Sequence, residues 1–478
     1  MFPQQVTTGI YLDDVLYVVA GMAVIVAVIG LGFIDAGLAR RKNLLDTWVQ
    51  KLAAGLVAMF AFCFFGYAIW DWQFNQAFGV PSAFWTAIRQ WWLGGIAQTH
   101  FSQQLSPSVF PQADETQVFL VFFLTFAMFI GALIQSSGLE RMKPWAIYIL
   151  VFFIVLVPWS FETYLFWGST SPLTNAGVHD YVGIFNGYLF IGTVSIVMNS
   201  ILGPRMGTFS PAPDGRAPAP HDWGQTFIGV LLLLFAIPFI VLGSGYLVPG
   251  TGYFGISMTT SGFGLVFINV FMAYIGGGLA GIFLMYRTRS PLWILFGPLA
   301  GYISCSASFD ISKPWIMLLV SIGGPFAAFG TYTLLRRLKI DDPKVGPLTF
   351  GPAVYGAIMA GLVGWGVKTG GYFGLKGAYG FQHASINVGW QLVGIVVTIG
   401  IAGVSTALIT SILKRANALR ISEAQELAGL DQSFWGIDAY EPASQHVPVP
   451  APSPEATSPE AASPEAPPPA SVTPERTP

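Results

Sequence analysis

The chain has 478 residues, of which 53% are hydrophobic and only 10% are charged, and its formal net charge is −2. Soluble domains carry roughly 25% charged residues, so this composition excludes an ordinary water-soluble domain. The near-zero net charge also argues against a nucleic-acid partner, because such proteins bind the phosphate backbone through clustered lysine and arginine. The expected setting is a lipid bilayer.

Apolar runs of the length that crosses a bilayer as a helix, roughly 20 residues, recur along the chain. They predict an all-α integral membrane fold with eleven transmembrane helices. The predicted spans are 13–36, 46–70, 114–136, 145–167, 181–202, 224–246, 258–286, 291–309, 313–335, 347–366 and 386–414. Because the number of spans is odd, the two termini are predicted to lie on opposite sides of the membrane.

Positive charge predicts the orientation of the chain. Lysine and arginine are concentrated in alternate connections, for example at 40–42, 141–143 and 336–339, whereas the opposite connections hold few. Loops rich in these residues stay cytoplasmic. We therefore expect a multi-pass protein of the cell inner (plasma) membrane with a periplasmic N-terminus and a cytoplasmic C-terminus. A short external segment, 1–12, precedes the membrane domain, 13–415.

The remaining segments differ from the apolar spans in composition. Residues 416–441 form a polar tail after the last span, and residues 442–478 consist mainly of Pro, Ala, Ser and Glu. The latter composition cannot bury a core, so this stretch is predicted to be disordered. The long connection 71–114 is rich in tryptophan, which favours either an interfacial cap or a docking surface for a partner.

Five short motifs occur in a fixed order along the chain. They are GLARRKN (37–43), LERMK (139–143), HDYVG (179–183), KIDDP (339–343) and LRISEAQELAGLD (419–431). In this order and at this spacing they resemble the ammonium transporter (Amt/Mep/Rh) family along most of the chain. The resemblance implies two inverted five-helix halves followed by a long final helix. It also implies a homotrimer with one transport path in each subunit.

The family's path normally carries two histidines, and this chain has neither. The first is expected eight residues after Asp180, where Tyr188 stands, and the second falls at Phe350 or, counted back from Gly356, at Thr349. The resemblance implies that Asp180 is an acid associated with the path, although its place before an apolar run equally predicts a helix cap. Hydroxyl groups do not readily accept a proton at neutral pH, so the family's usual relay is not expected here.

Aromatic side chains are candidates for the outer part of the path. Trp159, Tyr164 and Trp167 are candidates for an aromatic cage that holds a cation over ring faces. The alternative is an interfacial belt of aromatic residues. Glu162, an acid within the same apolar span, either attracts a cation or is a hydrogen-bonded residue of the outer leaflet.

The family narrows its path with a pair of stacked phenylalanines. The third predicted span keeps a phenylalanine-rich face that includes Phe122 and Phe126. In the sixth span the corresponding gate position is occupied by Ile240, and Pro238 is expected to kink the helix or open its hydrogen bonding. The gate is therefore predicted to be altered on one side only.

The tail motif is the part most similar to the family. The residues that carry this likeness are Glu426, Gly429, Leu430, Asp431 and Tyr440. In the family the tail couples the transporter to PII signalling proteins, so the resemblance implies a cytoplasmic regulatory tail and a partner of this kind. The extension beyond residue 441 is expected to hinder such docking.

Three functions are compatible with these residues. The first is a channel or transporter that moves ammonium or ammonia by a non-standard path. The second is a transport-inactive member that acts as a sensor or as a structural subunit of a membrane assembly. The third is a channel for another small neutral solute such as carbon dioxide. The sequence shows no metal-ligand spacing, nucleophile elbow or phosphate loop, so neither an enzyme nor a metal or cofactor is expected.

Overall fold

The computed structural model describes residues 8–92, 95, 113–213, 215, 217–248 and 251–437. Ten of the helices in this part of the chain are long and apolar enough to cross a membrane. With one shorter apolar helix, α8, they are α1 (Thr8–Leu38), α2 (Arg41–Ala77), α3 (Ala113–Ser137), α4 (Pro144–Trp167), α5 (Ile184–Leu202), α6 (Trp223–Leu242), α7 (Phe263–Thr288), α8 (Leu292–Cys305), α9 (Pro314–Arg337), α10 (Val345–Val363) and α11 (Val388–Arg415). The all-helical membrane architecture predicted from the apolar runs is thus confirmed.

The eighth predicted span is shorter in the structure than expected. The sequence predicts a span over 291–309, but α8 has 14 residues and ends at Cys305. A helix needs about 20 residues to cross the hydrocarbon core without thinning it. The number of eleven crossings and the orientation of the termini therefore remain predictions.

Two helices extend beyond a predicted end by at least five residues. α1 begins at Thr8 rather than at residue 13, and α2 continues to Ala77, through the first residues of the predicted tryptophan-rich connection. Each residue added to an existing helix gains one hydrogen bond, so a helix continues until the sequence interrupts it. α2 contains no glycine or proline between Gly66 and its end. A short helix, Ala83–Trp91, follows. The rest of that connection is mostly outside the described residues, as are Tyr440 and the predicted disordered stretch.

Glycines allow the helices to approach closely. A Cβ atom at Gly30 of α1 would lie 2.8 Å from the carbonyl oxygen of Gly229 of α6, and one at Gly277 of α7 would lie 2.4 Å from that of Gly297 of α8. Helix association in lipid depends on such backbone contact, because lipid is as apolar as the side chains. These two contacts hold α1 against α6 and α7 against α8 around the centre of the bundle.

The two ends of the bundle are built differently. The segment 416–437, called the tail segment below, lies against one end, where Met142 and Arg420 form an isolated β-bridge; we call this end the tail face. At the opposite end, the far face, β1 (Gly245–Val248), β2 (Gly252–Gly255) and β3 (Thr260–Ser261) form an antiparallel sheet in that order. A second antiparallel pair, β4 (Lys368–Thr369) and β5 (Ala384–Ser385), lies there too.

Candidate functional site

A vestibule of about 460 Å³ opens at the far face. Two carboxylates line it, and each has a partner: Asp13 accepts a hydrogen bond from the backbone N–H of Leu247 at 2.9 Å, and Asp71 accepts one from the Asn75 amide at 3.1 Å. Of the three predicted cage residues, only Trp167 contributes to its wall. The vestibule therefore combines negative charge with aromatic surface, which suits a small cation.

Trp159 and Tyr164 do not reach the vestibule wall. The Trp159 indole N–H donates to the carbonyl of Asn186 at 2.9 Å, and the Tyr164 ring stacks on Trp72 with centroids 5.0 Å apart. Trp159 belongs to a π-helical turn, Val155–Trp159, about two helical turns before Trp167 on α4. The predicted three-residue cage is thus not assembled around the cavity.

An aromatic layer separates the vestibule from the interior. Phe122 of α3 contacts Tyr17, which lines the vestibule, with ring centroids 5.3 Å apart. It also contacts Phe126, which lines the next cavity, at 5.0 Å, and Phe126 in turn lies 6.1 Å from Trp167. Phe122 and Phe126, both predicted as path residues, are therefore placed in succession between two cavities.

The inner cavity is small and apolar, with a volume of about 80 Å³; we call it the central cavity. Ile240 of α6 lies in its wall, where the sequence predicts the altered gate. Three lining residues carry a hydroxyl, namely Tyr188, Tyr302 and Thr349, and the other lining side chains are hydrocarbon. The Tyr188 hydroxyl donates to that of Tyr302 at 2.8 Å, and Thr349 donates to the Val345 carbonyl at 2.6 Å.

The structure distinguishes between the two candidate positions on α10. Thr349 lines the central cavity, whereas Phe350 is packed against the surrounding core and contributes nothing to the cavity wall. Successive residues of a helix are separated by about 100° around its axis, and on α10 it is Leu348 and Thr349, not Phe350, that face the cavity. Tyr188 and Thr349, two of the residues predicted for the path, therefore lie at one cavity.

Tyr302 was not identified from the sequence. It belongs to α8, the shortest of the apolar helices, and the family motifs include no residue of that helix. Its hydroxyl is the acceptor for Tyr188, so the two rings meet edge to face at 5.7 Å across the cavity. A tyrosine within an apolar run is a weak signal, because aromatic residues are common throughout this chain.

Asp180 is a helix cap in this structure. Its carboxylate accepts hydrogen bonds from the backbone N–H groups of Gly183, Ile184 and Phe185 at 2.7–2.9 Å, at the start of α5. Burial raises the pKa of Asp180 to about 6, against the opposing effect of these three donors. The carboxylate is fully buried and lines none of the cavities described here. In this structure Asp180 therefore positions the start of α5.

Glu162 also lies away from the cavities. It is fully buried in α4, and one carboxylate oxygen accepts a hydrogen bond from Thr398 of α11 at 3.1 Å. Its other oxygen has no hydrogen-bond partner among the described residues. This geometry matches a hydrogen-bonded residue between two helices. Among the described residues no group of three or more His, Cys, Asp or Glu side chains is placed to hold a metal ion.

Four of the predicted tail residues contact the membrane domain at the tail face. Asp431 accepts hydrogen bonds from the backbone N–H groups of Leu45 and Asp46, and the N–H of Leu430 donates to Asn43 at 2.9 Å. Gly429 has φ +99°, and a Cβ there would lie 2.7 Å from the Lys42 carbonyl oxygen. The tail segment is thus attached to the first residues of α2.

Charged groups attach the tail segment to two further connections. Glu426 accepts from the Met206 N–H at 2.7 Å and pairs with Arg420 at 2.9 Å. Beside it, Glu140 pairs with Arg40 and Arg205, each at 3.0 Å. Burial by itself raises the pKa of Glu140, but the two guanidinium groups outweigh it and lower the pKa to about 2. Glu140 is therefore ionised at any physiological pH.

A sequence profile described as Ammonium Transporter Family matches residues 15–440, most of the chain. The chain belongs to the ammonium transporter family. The family predicted from the five motifs is thereby confirmed, and with it a multi-pass membrane protein of a transporter family.

The chain is similar to named ammonium transporters over most of its length. "Ammonium transporter" of Bacillus subtilis (strain 168) is 23% identical over 425 residues, covering 86% of this chain and 94% of the relative. "Ammonium transporter Amt1" of Methanocaldococcus jannaschii is 26% identical over 421 residues, covering 86% and 92%. Among solved structures, "Sensor Amt Protein" and Mep2 of Candida albicans each give a TM-score of 0.68 at 18% identity. They cover 89% of this chain, and 99% and 89% of their own, which shows the common fold.

Proposed function

We propose that this family member moves ammonium or ammonia across the membrane by a path that works without the histidine pair. The observation that supports this proposal is the succession of vestibule, aromatic layer and central cavity between the far face and the tail face. Tyr188, Tyr302 and Thr349 supply the polar atoms of the central cavity. A neutral solute can exchange hydrogen bonds with these hydroxyls, whereas they do not readily take a proton.

Several properties of the whole assembly belong to the same proposal. We infer a homotrimer and a tail that binds a PII signalling protein, because the family resemblance implies both. We also infer an inner-membrane protein that has no enzymatic activity, with its tail in the cytoplasm. The orientation is supported by the lysine and arginine residues at the tail face, such as Arg40, Arg141 and Arg205, since positive loops stay cytoplasmic.

The test is transport by the purified full-length chain. Vesicles that contain the protein and a pH-sensitive dye receive an ammonium pulse, while protein on a planar lipid support receives the same pulse for electrical recording. We expect alkalinisation or current above that of protein-free lipid. The variant Ala27→Phe, which inserts a ring into the central cavity, should abolish it. Lys368→Met, an exposed position at the far face, is the matched control.

The outcome separates the remaining hypotheses. Tyr188→His combined with Thr349→His restores two imidazoles at the wall of the central cavity. Transport by the parent protein would contradict a transport-inactive role. Silence of the parent together with transport by the double variant would instead mean that the scaffold is intact and the path was lost with the histidines. Silence of both would reject ammonium transport as the function.

A further inference from the structure

A stripe of side chains at the far-face end of α2 lines the vestibule. Residues three and four positions apart lie on one face of a helix. The vestibule wall contains five residues with this spacing, namely Tyr67, Trp70, Asp71, Phe74 and Phe78. Because α2 continues beyond its predicted end at residue 70, the stripe extends to Phe78, whose side chain is 63% exposed.

The loop between β4 and β5 places another aromatic ring against this stripe. The Tyr372 ring lies 6.2 Å from that of Phe74 and 6.1 Å from that of Phe78, with interplanar angles of 88° and 78°. Rings at large angles to one another present faces in several directions, as in the aromatic cages that bind quaternary ammonium groups. All three rings line the vestibule. We call them, together with Asp71, the outer cage.

Hydrogen bonds hold the outer cage together without a ligand. The Gln76 amide of α2 donates to the Tyr379 hydroxyl at 3.2 Å, and the Tyr372 N–H donates to the Tyr379 carbonyl at 3.0 Å. The loop that carries Tyr372 is thereby fixed to α2. A site that is already ordered costs less conformational entropy when a ligand binds.

The vestibule carries negative charge that its own wall does not balance. Asp13 and Asp71 line it, and both are ionised at pH 8. None of the described residues of the wall is lysine, arginine or histidine. Lys376, in the same loop as Tyr372, is exposed and does not line the vestibule. A cation in the vestibule is therefore attracted by both carboxylates and by the ring faces.

The size of the vestibule favours an organic cation over ammonium. Its volume is about 460 Å³, against about 80 Å³ for the central cavity. Sites for small organic molecules typically measure about 300–1,000 Å³, whereas ammonium has a single non-hydrogen atom. A cation with several carbon atoms fits the vestibule but not the central cavity. If its nitrogen is quaternary, it also has no N–H proton to release and cannot continue as a neutral amine.

On these observations we propose that the outer cage binds a quaternary ammonium ion, such as choline, which enters from the far face and occupies the vestibule without passing further. Asp71 and Asp13 attract its charge, and its methyl groups contact the rings of Phe74, Phe78 and Tyr372. The proposal goes beyond the proposed function, because binding does not require transport. The bound ion obstructs any solute that approaches the aromatic layer from the far face.

The first test measures binding alone. The full-length chain, in nanodiscs of phosphatidylethanolamine and phosphatidylglycerol, is titrated at pH 8 in a calorimeter, with protein-free discs as the blank. The probes are choline and 3,3-dimethylbutan-1-ol, which has the same shape without the charge. We expect choline to bind at least about tenfold more tightly, corresponding to ~1.4 kcal/mol. Equal affinities, or no binding of choline, would overturn the site.

Substitutions locate the bound ion. Phe78→Leu and Tyr372→Leu keep an apolar side chain but remove a ring, and Asp71→Asn removes a charge; each should weaken choline binding about three- to tenfold. Trp365→Leu removes an exposed ring of the far face that does not line the vestibule, and it should change nothing. Phe78 is exposed enough for its variant to fold even if the other two do not. Unchanged affinity in Phe78→Leu would overturn the cage.

The second test measures obstruction. Choline on both sides of the vesicle membrane should slow ammonium-driven alkalinisation by the parent protein, and higher concentrations should be needed for Phe78→Leu. Undiminished flux at a choline concentration that saturates the calorimetric signal would overturn the obstruction. Choline binding without flux in any variant would reject the proposed function and retain the site. Flux without choline binding would do the reverse.

Discussion

The buried contacts of Asp35 with the amines of Lys51 and Lys344 make Asp35→Asn the most informative stability variant of this chain. The substitution preserves shape but leaves two buried amines without their counter-ion, and Lys51 is only 2.6 Å from the carboxylate that is removed. At that distance the attraction is about 6 kcal/mol with an effective dielectric constant near 20. The amines can avoid the full loss by releasing protons, which limits the destabilisation.

The limit follows from the ordinary pKa of lysine. Removing a proton from an amine of pKa ~10.4 requires about 4.6 kcal/mol at pH 7. Loss of one partner of a buried ion pair typically destabilises by about 3–5 kcal/mol. We therefore expect Asp35→Asn to lower the free energy of unfolding by about 3–5 kcal/mol at pH 7. The triple variant with Lys51→Met and Lys344→Met should lie within about 2 kcal/mol of the parent, because it contains no unpaired charge.

The pH dependence provides an independent check. With its buried amines neutral, the folded Asp35→Asn variant binds fewer protons than the unfolded chain, so its stability relative to the parent should rise with pH. Near pH 9.5 the deprotonation term is only about 1.2 kcal/mol. The assay is reversible unfolding in mixed micelles, followed by tryptophan fluorescence. A deficit below about 1 kcal/mol at pH 7, or one that does not shrink in alkali, would refute the reasoning.

Three further predictions concern the tail segment and the aromatic layer. Gly429→Ala should weaken docking of the tail segment by about 1–2 kcal/mol, because the φ of Gly429 is +99° and a Cβ atom there would contact Lys42. The measurement is the rate of proteolysis of the tail segment, which should rise. Docking should also weaken as pH falls from about 5 toward 2, since the lowered pKa of Glu140 stabilises the folded state only while the group is ionised. If the protection of the tail amides against hydrogen exchange stayed constant across this pH range, the prediction would be contradicted. Phe122→Ala should speed ammonia-driven alkalinisation up to about tenfold, because its ring separates two cavities; an unchanged rate would exclude it as a barrier.

The helices and the family could be predicted from the sequence because bilayer thickness sets helix length and the motifs keep their order. The direction in which individual side chains point was harder to predict. Counting from the motifs left Thr349 and Phe350 open, and only the helical phase of α10 decides that Thr349 faces the central cavity. Trp159 and Tyr164 share the span of Trp167, but they contact Asn186 and Trp72 and do not line the vestibule. Such contacts between helices leave no clear mark in the sequence.

The meeting of Asp35 with Lys51 and Lys344 was missed for a different reason. Asp35 and Lys51 stand near the ends of predicted spans, where long charged side chains ordinarily extend to the membrane surface. Glu162 lies five residues from the end of its predicted span, deeper than Asp35, and was therefore the acid that the sequence indicated. Only the packing of α1, α2 and α10 shows that Asp35 and Lys51 point inward to each other. A charged residue near the end of a span can be predicted to point inward when an opposite charge occurs at the same depth on another span.

The cap that Asp431 provides to α2 has a consequence for how the protein is made. Its two acceptor contacts join residues separated by 386 and 385 positions, so the start of the second helix is synthesised long before its cap. At ordinary translation speeds this interval is roughly 20–80 s. During that time the insertion machinery handles the pair of α1 and α2 while the N–H groups of Leu45 and Asp46 still lack their acceptor. Shortening the tail would thus act first on maturation, and quality control would lower the amount of protein before any change in regulation became visible.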